Sequence, residues 1–169
     1  ELLRFPSIAN VSDPDGCRPC AQFLQAYLAE AGFAAELLEA PNAQPAVFAE
    51  HHEGDDLPTL LIYGHYDVQP ADPLDLWDSE PFEPEIRDGW IFARGADDDK
   101  GQLFTHVAAA CAYRKTGSPM GINLKLFIEG EEEIGSSHMP ELLELYKDKL
   151  AADMLVVSDT AFFAEGQPS

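Results

Sequence analysis

The chain has 169 residues, of which 31 are Asp or Glu and 10 are Lys or Arg, for a formal net charge of −21. An apolar share of 46% and an aromatic share of 10% suit a folded domain with a sizeable core and argue against disorder. So acidic a surface repels phosphate backbones and anionic membranes, which excludes nucleic acid and membrane surfaces as partners and favours a cation.

The opening ELLRFPSI reads as the end of a helix already under way. From Cys17 to Ala31 the apolar residues Cys20, Phe23, Leu24, Tyr27, Leu28 and Ala31 follow helical spacing, with Gly32 as a C-terminal stop. Strands are predicted near Ala35–Ala40 and Ala46–His51. Thr59–Gly64 (TLLIYG) is a short apolar run, as expected of a central strand buried on both faces. The 20 residues His65–Pro84 hold four prolines and no period, and loops of that length are usually functional or disordered.

Asp88–Gly89, between EIR and WIFAR, is a two-residue hairpin signal. A helix is predicted from Asp98 to Lys115, with Leu103, Val107 and Cys111 at four-residue intervals and Gly117 behind it. A strand Asn123–Glu129, a helix Met139–Leu150 with Pro140 in its first turn, and a strand Met154–Val157 complete the pattern. Strands alternating with helices imply an α/β fold whose mostly parallel sheet is flanked by helices, the hairpin adding antiparallel edge strands. Ala164–Ser169 carries no terminal helix signal, so a piece of a longer protein is expected.

No apolar run approaches the roughly 20 residues of a membrane span, and no secretory signal is visible. Three Cys suit a reducing compartment, so a cytoplasmic setting is expected. Cys17-Arg-Pro-Cys20 has the CxxC spacing of redox and zinc motifs, but no strand precedes it and no second Cys pair exists. Small buried helix residues are the reading it supports. His51 and His52 are expected at the surface, and His106 within its helix. There is no P-loop, HExxH, GxSxG or EF-hand loop.

Ligands of open α/β sheets collect at the carboxyl ends of the strands. Here TLLIYG runs into His65, Tyr66 and Asp67, the strand ending at Glu129 runs into Glu131, Glu132 and Glu133, and MLVV runs into Ser158 and Asp159. The long helix opens on Asp97, Asp98 and Asp99. Between Glu50 and Lys100 there are 15 acidic and 3 basic residues, a net of −12. A solvated acidic face would explain this, and the aspartates would also complement a helix N-terminus. One imidazole and several carboxylates converging from four segments instead form a zinc-type ligand set, because so many carboxylates stay ionised together only around a divalent cation. Asp67 falls on the same side of an extended chain as His65 and is placed to hold its second ring nitrogen.

The segments GHYDVQP (64–70), RGADDDKG (94–101), EGEEEIGS (129–136) and VVSD (156–159) resemble, in order and spacing, the motifs of the peptidase family that contains carnosinases, aminoacylases, carboxypeptidase G and succinyl-diaminopimelate desuccinylase. GHYDVQP with EGEEEIGS is most similar to the carnosinase-type dipeptidases. The resemblance implies a zinc-peptidase-like α/β/α sandwich of which residues 1–169 are the N-terminal part. It also implies two zinc ions in the full protein, with manganese or cobalt as alternatives, and a small peptide substrate. By position it makes His65 a ligand of the first metal with Asp67 as its orienting partner, Asp98 the bridging carboxylate, Glu132 the general base, Glu133 a ligand of the second metal and Asp159 the last protein ligand of the first. It implies a cis peptide between Asp98 and Asp99, and a solvent-facing Glu131 without a role.

The implied reaction is hydrolysis of an amide by a metal-bridged water activated by Glu132. The family's last His ligand and its lid domain, through which a homodimer would form, fall outside this sequence, so the chain alone is expected to hold one metal firmly and to hydrolyse peptides poorly. The competing reading is a non-catalytic metal- or protein-binding domain of the same fold.

Overall fold

The structure, a computed structural model, describes residues 1–10, 12–13, 15–160, 164 and 167. After a 3-10 turn at Leu2–Arg4, helix α1 (Arg18–Glu30) buries Cys20, Ala21, Leu24 and Leu28 along one face. The spacing of those residues is that of an amphipathic helix laid on a sheet. Cys17 and Cys20 are free and fully buried, as small core residues. Strands β1 (Ala34–Leu38) and β2 (Ala46–His51) form an antiparallel pair, and β3 (Thr59–His65) follows.

The loop after β3 contains one 3-10 turn, Leu74–Leu76, and is tied internally by Trp77 Nε1 donating to Ala71 O at 2.8 Å. Strands β4 (Glu85–Arg87) and β5 (Trp90–Phe92) pair through a turn in which Asp88 has φ 52° and Gly89 φ 85°. Positive φ at both positions is what a type I′ hairpin demands. The expectation that this hairpin would edge the main sheet is corrected: β4 and β5 make a separate two-stranded sheet. Alternation and turn chemistry specify the hairpin but not its partner.

Helix α2 (Lys100–Thr116), strand β6 (Asn123–Glu129), helix α3 (Met139–Leu150) and strand β7 (Met154–Val157) follow. The five-stranded sheet has the order β1-β2-β6-β3-β7. β6, β3 and β7 pair in parallel, and β2 and then β1 join through antiparallel ladders, so the expected parallel strands sit in a mixed sheet flanked by helices.

Alternate residues feed two cores, as strand geometry requires. Val47, Ala49, Leu126 and Ile128 pack with Leu24 and Leu28 of α1 and Leu103 and Val107 of α2. Phe48 and Phe127 pack with Leu142 and Leu150 of α3 on the other face. β3 is less buried than its apolar run predicts, with Leu60, Leu61 and Tyr63 half-buried. Its outer neighbour β7 leaves Met154, Leu155 and Val157 exposed, and no strand lies beyond β7 among the described residues. His51 is half-buried rather than at the surface, against the edge of Phe33 and 3.1 Å from an Arg114 nitrogen. No helix among the described residues is long and apolar enough to cross a membrane.

Candidate metal centre

Parallel register levels the carboxyl ends of three strands. His65 at the end of β3 is paired with Glu129 at the end of β6, and Tyr63 with Val157 of β7. Two residues beyond each pairing with β7, Asp159 comes level with His65. The cluster is therefore a consequence of strand alignment, as the general rule for such sheets expects.

His65 is fully buried. Its Nδ1 lies 3.1 Å from Asp67 O and 3.3 Å from Asp67 Oδ1. Asp67 is itself fully buried and accepts the backbone N–H groups of Glu132 at 3.2 Å and Glu133 at 3.0 Å. With Nδ1 engaged on Asp67, Nε2 faces Asp98 Oδ1 at 3.2 Å, Asp159 Oδ2 at 3.5 Å and Glu132 Oε2 at 3.9 Å. One ligand atom each of His65, Glu132 and Asp159 lie within 4.8 Å of one another.

A neutral imidazole would aim a lone pair at three anions, so the arrangement needs a cation in that space. A proton on His65 answers this in the metal-free chain. Burial opposes that proton, yet the hydrogen bond to Asp67 and the surrounding carboxylates outweigh burial and push the His65 pKa up to about 10. An imidazole nitrogen with carboxylate oxygens is equally a fitting donor set for zinc.

Glu133 does not join this group. Its carboxylate accepts Gln69 N–H at 3.2 Å and Gln69 Nε2 at 2.8 Å, and the same amide nitrogen reaches Glu133 O at 3.0 Å. The Asp98–Asp99 peptide is cis. Asp99 does not cap α2 with its side chain. Its Oδ2 instead accepts the His65 N–H at 3.2 Å, so its side chain ties α2 to the end of β3. Gly64 makes that approach possible, since a Cβ there would stand 2.9 Å from Asp99 Oδ2. Burial, reinforced by Asp159 and Asp98, lifts the Asp99 pKa to about 6.

Glu132 is raised too, first by desolvation and then by the charges of Asp159, Glu133 and Asp67, with His65 acting in the opposite sense. A carboxylate raised in this way is better suited to accept and return a proton near neutral pH.

Three connections escape a reading of the motifs alone. Glu131 is 5% exposed and not solvent-facing: His138 Nδ1 lies 2.9 and 3.0 Å from its carboxylate oxygens. His106 on α2 holds Ser158 Oγ at 2.6 Å, beside Asp159. Gln69 was legible only as a member of GHYDVQP.

Asp67→Asn is expected to weaken zinc affinity by about 10–100-fold, the usual cost of losing the group that orients a histidine ligand. Competition against a chromophoric chelator measures it, and unchanged affinity would show that the ring is held by other means.

Fold and donor set together are those of an α/β metal-binding domain with its centre on the carboxyl edge of the sheet. The chain belongs to "Peptidase family M20/M25/M40", whose sequence profile matches residues 61–167. It is 36% identical over 127 residues to human Beta-Ala-His dipeptidase, covering 74% of this chain and 25% of that protein. Against the Cys-Gly metallodipeptidase of Schizosaccharomyces pombe it is 35% identical over 127 residues, covering 73% and 27%. The solved M20 family metallo-carboxypeptidase of Sulfolobus solfataricus superposes with a TM-score of 0.85 at 36% identity, covering 95% of this chain and 36% of that one. The matched part of the chain thus spans about a quarter of the length of these two relatives.

Proposed function

We propose that this chain is the N-terminal part of the catalytic domain of a zinc metallopeptidase that hydrolyses short peptides, dipeptides foremost. The observation that carries the reading is His65 Nε2 facing Asp98, Asp159 and Glu132 while Asp67 holds Nδ1. Membership of the family and the dipeptidase names of two relatives support the substrate class.

His65, Asp98 and Asp159 would hold the first ion, with Asp98 shared and Glu133 assigned to a second. Bound zinc supplies acidified water and a polarised scissile carbonyl. The protein's own part is proton traffic and alignment. Glu132 takes the proton from the attacking water and returns it to the leaving amine. Asp67 fixes the His65 ring and, through two backbone N–H groups, the turn that carries Glu132. Asp99 anchors the backbone of His65 from the α2 side.

In the 169-residue chain Glu133 is engaged by Gln69, which supports one firm zinc site and poor hydrolysis. Isothermal titration is expected to give one tight zinc per chain, and two equally tight sites would overturn that stoichiometry. The full-length protein is expected to release amino acids from dipeptides in a zinc-dependent manner. Zinc binding without any hydrolysis would favour a non-catalytic metal-binding domain of the same fold.

A further inference from the structure

Four of the five residues 129–133 are glutamates, yet the structure divides them into two kinds. Glu129 and Glu131 are 2% and 5% exposed, whereas Glu132 and Glu133 are half-exposed. Each of the buried pair accepts a hydrogen bond from a residue further along the same loop, Ser136 for Glu129 and His138 for Glu131. Glu129 Oε1 accepts the Tyr63 hydroxyl and, at 3.0 Å, the Ser136 hydroxyl.

Glu131 Oε1 accepts Gln44 N–H at 2.9 Å, and Oε2 accepts His138 N–H at 3.3 Å. The His138 ring sits against both oxygens at 2.9–3.0 Å. The Glu131 carbonyl accepts Ile134 N–H at 3.1 Å and Ser136 N–H at 2.8 Å. Gln44 extends the grip, because its Oε1 accepts Cys17 N–H at 3.1 Å at the start of α1.

We infer that Glu131, with His138 as its partner, is a positioning residue that holds the Glu132–Glu133 turn at its working distance from His65. The inference rests on the proposed role of Glu132. That turn is clamped by Asp67, which takes the N–H groups of Glu132 and Glu133, and by Glu131, whose carboxylate takes the N–H groups of Gln44 and His138. The Glu132 carboxylate stands 3.9 Å from His65 Nε2, beyond hydrogen-bond reach, so its place is set by the backbone that these clamps fix. A buried carboxylate is retained only where its charge is met by donors. Here the donors come from the β1–β2 connection and the start of α3, the two segments that flank the turn.

The test uses Co2+ as the probe on the 169-residue chain, comparing wild type, Glu131→Ala, Glu131→Gln and His138→Ala. Affinity and the visible cobalt spectrum are read alongside amide exchange and melting temperature. Glu131→Ala is expected to speed exchange at residues 132–136 while β3 and β6 stay protected, to change the cobalt band, and to weaken cobalt about 10-fold. Glu131→Gln keeps one acceptor oxygen and is expected to restore much of the affinity. His138→Ala, at a more exposed position, is expected to shift all readouts in the same direction by less, and it decides the matter if Glu131→Ala does not fold. A lowered melting temperature with wild-type cobalt spectrum, affinity and loop exchange would overturn the inference. A wild-type chain with no cobalt band would instead overturn the metal reading, and the exchange measurements would still judge the clamp.

Discussion

Replacing Glu132 with Gln is expected to reduce peptide turnover by the full-length protein about 10²–10⁴-fold, the usual contribution of a general acid–base group, with zinc content unchanged. The substitution is nearly isosteric, and the backbone N–H that ties residue 132 to Asp67 at 3.2 Å remains. Asp98 and Asp159 still lie 3.2 and 3.5 Å from His65 Nε2, so ion binding persists. What disappears is the negative charge, and with it the capacity to take up a proton. Steady-state kcat measured beside metal content separates the possibilities. Unchanged turnover removes Glu132 from the chemistry, whereas parallel loss of zinc makes it a ligand, as its place within 4.8 Å of His65 and Asp159 allows.

Much of the scaffold was legible because local patterns and burial agree along it. TLLIYG became β3, and the predicted bounds of β2, β6, α3 and β7 match the observed ones. Asp88–Gly89 formed its turn because only that local backbone geometry was at stake. The placement of the hairpin in its own sheet, and the antiparallel β1–β2 addition, depend on pairings that no short window contains. The same distinction holds at the centre. His65, Asp67 and Asp159 could be found from strand ends, since parallel register turns positions in sequence into neighbours in space, and Asp98 from the helix start that meets them.

Glu131, Glu132 and Glu133 are chemically identical in sequence, and their different fates are set by residues elsewhere: Gln44 and His138 for Glu131, Gln69 for Glu133. A helix histidine such as His106 gives no sign in its own segment that Ser158, 52 positions away, is its partner. Asp99, at the end of a run of three aspartates, gives its side chain to the N–H of His65 rather than to the first turn of α2, a partner 34 positions away.

Without zinc, the melting temperature of the chain is expected to fall as pH rises, and zinc is expected to oppose that fall. The sign follows from which state holds more protons. Burial disfavours the His65 proton, but Asp67 and the neighbouring carboxylates outweigh it and raise the pKa from an ordinary 6.5 to about 10. The stability this supplies is fully present below pH 6.5 and is lost as pH rises through 10. Asp99, lifted mainly by burial from 3.8 to about 6, acts in the same sense at lower pH: its contribution is present below 3.8 and gone above 6. Glu129 and Glu132 are also raised, in each case first by desolvation, and so add to the decline.

Zinc needs the neutral imidazole and ionised carboxylates, so its binding releases protons and strengthens with pH. Ligand at about 100 times its Kd stabilises a fold by about 2.7 kcal/mol, and less where protons compete for the same site. The measurement is a set of melting curves between pH 6 and 8.5, with EDTA and with zinc. The gap between the two curves is expected to widen as pH rises, and His65→Gln is expected to flatten the EDTA curve across the upper half of the range. An EDTA profile that climbs towards pH 8.5 would mean that His65 carries no extra proton in the folded chain, and with it would go the view that its ring stands in for a cation among these carboxylates.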